Sequence, residues 1–296
     1  MTGWPAIEVA VDTGAALGEC PVWSPAEQVL YWVDIDGRRV HRHDPVTGLD
    51  EHRDVEGRPG SIALTADPGR LLVAVEHEVV ELDWPSRTVT PFAVLEDPAR
   101  GNRANDGGVD PAGRFVVGTM WPDTGAGRTT GGLYRVTGDG RVETLERDLG
   151  VPNGLAFDAD RGRMYTADTP TRTVLVADYD PDTGHRGTPR VFFDYGDLPG
   201  KPDGACLDAD GCYWSACVRG GALIRIDPDG RLDRRIELPV GAPTMPAFGG
   251  PDLTRLYVTS IDDRDRNPAT AGVTPGSVLV LEPGVSGRPE PVFAAS

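Results

Sequence analysis

The sequence predicts an all-β protein: a six-bladed β-propeller with four-stranded blades around a central channel, formed as a single domain by residues 1–296. Three observations lead there. The chain carries 38 Gly and 27 Pro, the supply of turn residues that many short strands need. Helical periodicity is nowhere sustained, and one pattern of strands and turns recurs six times.

The copies begin GECPVWSPAEQVLYWVDI, PGSIALTADPGRLLVAV, ANDGGVDPAGRFVVGTM, PNGLAFDADRGRMYTAD, PDGACLDADGCYWSACV and PTMPAFGGPDLTRLYVTS. Each holds two apolar strands around a polar turn. A third strand follows in each, among them RVHRHDPVTG, GGLYRVTGDGRV and TVLVADYDPDTG. When the triplets WSP, LTA, VDP, FDA, LDA and FGG are aligned, the residues four places earlier are Glu19, Gly60, Asn105, Asn153, Asp203 and Thr244. They lie 41, 45, 48, 50 and 41 residues apart, within the period of roughly 40–50 that a propeller blade requires. Leucine-rich, ankyrin and TPR signatures are absent, which argues against a solenoid of similar period. A ring removes exposed sheet edges only if it closes, so the segment around Ile7–Val11 is expected to complete the last blade.

Composition narrows the partners. With 46 acidic and 29 basic residues the net charge is −17, a surface that repels nucleic acid and anionic membranes. No apolar run approaches the roughly 20 residues of a membrane span, and Met1–Ala10 lacks the pattern of a signal peptide, so a cytoplasmic protein is expected. The four cysteines, Cys20, Cys206, Cys212 and Cys217, contain no C-x-x-C pair and read as buried free thiols.

A propeller carries equivalent positions of successive blades around one axis, so the six aligned residues should ring one end of the channel. Two carboxylates and two amides make a hard-oxygen set suited to a divalent cation, which would offset the repulsion between Glu19 and Asp203. Gly60 is expected to leave one side of the ring open to solvent or substrate. The competing reading is that short polar residues before strands only cap turns.

The motifs G-E-C-P-V-W (18–23), N-D-G-x-V-D-P-A-G-R-F (105–115), G-T-M (118–120), P-N-G-L (152–155) and P-D-G-A-C-L-D (202–208) resemble, in order, those of the senescence marker protein (regucalcin) and gluconolactonase family. The resemblance implies a six-bladed propeller that hydrolyses sugar lactones with one divalent cation. It implies Glu19, Asn153 and Asp203 as metal ligands and Arg103 and Asn105 as substrate contacts. Asp123 falls where relatives place a substrate-binding acid after G-T-M, with a shorter side chain than the Glu of animal members. Calcium is the first choice of ion, with Zn²⁺, Mn²⁺, Mg²⁺ and Fe²⁺ as alternatives. Asp203 is the candidate general base, because a carboxylate oxygen not committed to the ion can accept a proton from water.

Rival chemistries lack their signatures: there is no G-x-S-x-G, H-E-x-x-H, Walker or G-x-G-x-x-G motif. DADG (208–211) and DPDG (227–230) read as turns rather than calcium loops, and the five histidines form no ligand set. Lys201, the one lysine, reads as a solvated loop residue. Two functional alternatives stand beside the lactonase: a calcium-dependent organophosphate hydrolase and a non-enzymatic calcium-binding propeller.

Overall fold

The computed structural model describes residues 6–265 and 272–295. Their strands form six four-stranded antiparallel sheets in a ring. The innermost strands are Gly18–Ser24, Pro59–Leu64, Arg103–Val109, Pro152–Asp158, Lys201–Leu207 and Pro243–Gly249, for blades one to six. Each touches the innermost strand of the next blade, and the sixth touches the first. This is the predicted six-bladed propeller. The sixth blade is closed by the other end of the chain: Ile7–Val11 pairs antiparallel with Val278–Leu281.

Burial follows distance from the axis. Second strands such as Val29–Asp34 and Phe115–Met120 are buried throughout, because both faces of each blade pack on neighbouring blades, and so they read as continuous apolar runs. Outermost strands such as Leu49–Asp54 are half-exposed and carry charge. The turn after the inner strand is held in several blades by a buried aspartate. Asp208 accepts the backbone N–H groups of Asp210 and Cys212, the Trp214 indole and the Arg225 guanidinium, so the DADG segment is a turn. The four cysteines are free and buried.

The two ends of the channel differ. At one end, residues 288–291 of the C-terminal segment help line a small cavity of about 150 Å³. Arg288 ties this segment to Asp160 (2.8 Å) and Asp158 (3.5 Å), while Phe293 is buried and its N–H donates to the Leu64 carbonyl. At the other end lies a pocket of about 720 Å³. Among the described residues no helix is long and apolar enough to cross a membrane.

Candidate active site

All six aligned residues lie at the start of an inner strand, and one irregularity recurs just after them. The ladder slips between Glu19 and Val22, Pro59 and Ser61, Ala104 and Gly107, Asn153 and Ala156, Pro202 and Ala205, and Pro243 and Pro246. Proline precedes the aligned residue in four blades and has no N–H to give the ladder. A bulge bends its strand and re-aims the side chain beside it. The repeat therefore places a slip in the ladder beside the aligned residue of every blade.

Glu19, Asn105, Asn153 and Asp203 all line the large pocket. Gly60 and Thr244 do not, and each has a structural cause. A Cβ on Gly60 would stand 2.5 Å from the Ala104 carbonyl carbon and 2.6 Å from the Asn105 oxygen. The glycine is thus filled by the next blade's backbone rather than opening the ring, which corrects the sequence expectation. The Thr244 hydroxyl donates to the Gly18 carbonyl at 2.6 Å and ties the sixth blade to the first.

The remaining polar groups form a directed chain across three blades. Arg103 Nη1 donates to Asn105 Oδ1 (2.8 Å), Asn105 Nδ2 to Asn153 Oδ1 (2.8 Å), and Asn153 Nδ2 to Asp203 Oδ1 (2.7 Å). All four residues are buried. Side branches fix the links: Asn105 Nδ2 also reaches the Pro152 carbonyl, Asn153 Nδ2 reaches Thr169, and Arg103 Nη1 reaches the Ala104 carbonyl. A cation stands at one end of the chain and a carboxylate at the other, so every dipole in it points the same way.

Charge is concentrated at the anionic end. Burial pushes the Asp203 carboxyl well above the usual range, and Asp106 adds to this. Glu19 is raised as well, by burial first and then by the charges of Asp203 and Asp106. Such a pair is what a hard divalent ion neutralises, and the Asn153 carbonyl oxygen is a third donor of the same type. Among the described residues no three His, Cys, Asp or Glu side chains gather as a metal cluster; the candidate set is two carboxylates and an amide.

Asp106 was not singled out from the sequence. It is buried, accepts the N–H groups of Gly107 and Leu155 at 2.8 Å each, and is pushed up to about 7 chiefly by burial. Its signal lay one place beyond the aligned position, where the other blades have Cys20, Ser61, Gly154, Gly204 and Met245 and only this one has a carboxylate.

Asp123 stands apart from the others. It is exposed, and its Oδ1 accepts the Gly125 N–H at 3.0 Å as the cap of the short turn Thr124–Ala126. Its neighbours Pro122, Thr124 and Gly125 line the pocket, so Asp123 shapes a rim whose other atoms face inward. Trp121, just before this loop, stacks under the Arg128 guanidinium, 3.9 Å from the ring centre.

A pocket of this volume is in the range that holds small molecules, roughly 300–1,000 Å³. It offers oxygen donors for a cation at its floor, a buried guanidinium beside them, and open space above.

The chain is similar to known proteins along nearly its whole length. Residues 17–262 match the SMP-30/gluconolactonase/LRE-like region. The chain is 39% identical over 290 residues to a 6-deoxy-6-sulfogluconolactonase of Pseudomonas putida, covering 97% of this chain and 98% of that one. It is 39% identical over 293 residues to a pentonolactonase of Haloferax volcanii, covering 95% of each. A solved structure of a regucalcin from Agrobacterium tumefaciens, described as a calcium-binding protein, superposes with a TM-score of 0.89 at 31% identity, covering 99% of this chain and 97% of that one.

Proposed function

Since the chain belongs to the SMP-30/gluconolactonase/LRE-like family, we propose that it is a divalent-metal-dependent hydrolase that opens sugar lactones to aldonic acids. The observation that carries this reading is the meeting of Glu19 and Asp203, both raised well above the usual carboxylate range, with the Asn153 amide at the floor of the large pocket. Those three residues would hold one divalent cation, with Ca²⁺ the first choice. Bound there, the cation supplies polarisation of the lactone carbonyl and stabilisation of the oxyanion that develops.

The protein's own groups do the rest. Asp203 Oδ1 is held by Asn153, and a carboxylate oxygen of Asp203 not committed to the ion would accept the proton of the attacking water. As the water oxygen bonds to the carbonyl carbon, that proton passes to Asp203. When the ring C–O bond breaks, Asp203 returns that proton to the departing oxygen, and the product is a hydroxy acid. Arg103 keeps its Nε and Nη2 hydrogens for lactone or hydroxyl oxygens. Asn105, with both Nδ2 hydrogens in use, offers a substrate hydroxyl only the second lone pair of Oδ1. Asp123 acts through the rim loop that it caps.

A panel of aldonolactones and one organophosphate, assayed for acid release with a divalent ion present, tests this reading. Release from lactones supports it. Turnover of the organophosphate alone points to the other hydrolase, and tight ion binding with no turnover points to a calcium-binding propeller.

A further inference from the structure

The large pocket is basic in an otherwise acidic protein. Five cationic side chains line it, Arg58, Arg103, Arg172, Lys201 and Arg219, against the carboxylates Glu19, Asp36 and Asp203. Three of the five are committed elsewhere. Arg58 is paired bidentately with Glu76, both contacts at 2.9 Å. Arg103 belongs to the chain of hydrogen bonds at the floor. Arg172 spends its guanidinium on the carbonyls of Gly196, Leu198 and Gly200, pinning the loop that leads into the fifth blade.

Lys201 and Arg219 remain. Both are exposed at the pocket wall, and neither side chain makes an ion pair or hydrogen bond among the described residues. They are held side by side. Lys201 pairs in register with Val218, and Arg219 follows it in the left-handed region at φ 58°. The two backbones press together there: a Cβ on Gly200 would meet Gly220 N at 2.6 Å and the Val218 carbonyl oxygen at 2.7 Å, so only glycine allows the approach. Arg219 also lies near enough to Asp203 for its charge to act on that carboxyl, which places the pair within one small molecule's reach of the proposed reaction centre. Asp36, the acid at the rim, belongs to the first blade and faces Arg58 and Arg103 rather than this pair.

Two neighbouring cations whose side chains have donors to spare, in a chain with 46 acidic residues, are a site for an anion. Resting on the lactonase reading, we propose that the preferred substrate is an aldonolactone bearing an anionic group, a sulfonate, phosphate or carboxylate, on the part of the molecule remote from the lactone carbonyl. Lys201 and Arg219 bind that group while the lactone lies at the Glu19–Asp203 floor.

The test compares kcat/KM for a neutral aldonolactone with its 6-sulfo, 6-phospho and 6-carboxylate counterparts, in the native protein and in K201Q/R219Q. The native protein is expected to favour at least one anionic lactone by tenfold or more, with the preference falling as NaCl rises. The double variant is expected to lose at least tenfold of that ratio through KM, and K201R/R219K to retain it. A preference for the neutral lactone, or a ratio indifferent to the double substitution, overturns the proposal. Calorimetry with 6-phosphogluconate and gluconate separates this site from the chemistry. Tighter binding of the phosphate, lost in K201Q/R219Q, supports the anion site even in a protein that opens no lactone; equal binding overturns it.

Discussion

Asn153 Nδ2 donates to Asp203 Oδ1 across the boundary between the fourth and fifth blades, at 2.7 Å. The amide is held in that orientation from behind, since its own oxygen accepts from Asn105. The Asp203 carboxyl is therefore held from the neighbouring blade as well as by the Gly204 N–H of its own strand, in a position where burial and Asp106 disfavour its charge.

Replacing Asp203 with Asn removes one of the two charges that would hold the cation and the oxygen assigned to the water's proton. Loss of a general base alone costs roughly 10²–10⁴ in rate. Turnover of D203N is expected to fall by at least that factor, with ion binding weakened by more than about tenfold in calorimetry. Near-native turnover would remove Asp203 from the mechanism.

Asn105 offers a finer test, because its amide joins Arg103 to Asn153. N105A leaves the three proposed ligands in place but frees both neighbours to turn. Loss of such an orienting partner typically costs roughly 10–100-fold in metal affinity or activity. A KM effect alone, with ion affinity unchanged, would assign Asn105 to substrate contact only.

Stability of the metal-stripped protein should fall as pH rises. Glu19, Asp106 and Asp203 titrate higher in the folded protein, Asp106 near 7, than the value of about 4 for an unfolded carboxylate. Between those values the folded state binds more protons than the unfolded state, so the stability that Asp106 contributes is full below pH ~4 and is lost on the way to ~7, and Glu19 and Asp203 act with the same sign. Surface carboxylates held low by their partners, such as Asp44 and Asp83, have the opposite sign and act at more acid pH. The melting temperature of stripped protein is expected to drop between pH 5 and 7.5, and saturating Ca²⁺ to raise it more at 7.5 than at 5. A stripped protein whose melting temperature climbs over that range would contradict the assigned charge cluster.

Ring closure depends on Ile7–Val11, which pairs with Val278–Leu281 and places Val11 in the core. Deleting residues 1–12 would expose the edge of Val278–Leu281, a template for pairing between molecules. The truncated chain is expected to be insoluble. A soluble product with a cooperative melt would show that closure is dispensable.

The blades and four of the pocket residues were legible in the sequence because a propeller's period fixes which positions share a ring. Glu19, Asn105, Asn153 and Asp203 fell on one aligned column and meet at one end of the channel. What the period does not carry was harder to see. Gly60 reads as a gap in that column, yet its reason is the Ala104 backbone of another blade, a contact that no single repeat displays. Asp106 lies one place off the column, and the bulge brings it to bear on the same charges. The Asp123 loop, and Lys201 and Arg219 at the ends of two paired strands of the fifth blade, lie beyond the aligned copies, where only the folded chain shows which side chains reach the pocket and which are already bonded.

Acid release from an aldonolactone by metal-stripped protein, before and after adding back Ca²⁺, Mg²⁺, Mn²⁺, Zn²⁺ or Fe²⁺ singly, tests whether a divalent cation at Glu19, Asn153 and Asp203 drives lactone opening. The stripped protein is expected to show no release above the spontaneous rate and to be restored by at least one ion, with none restored in D203N. Full activity in stripped protein, or equal restoration in D203N, would show that no cation at these residues drives the reaction.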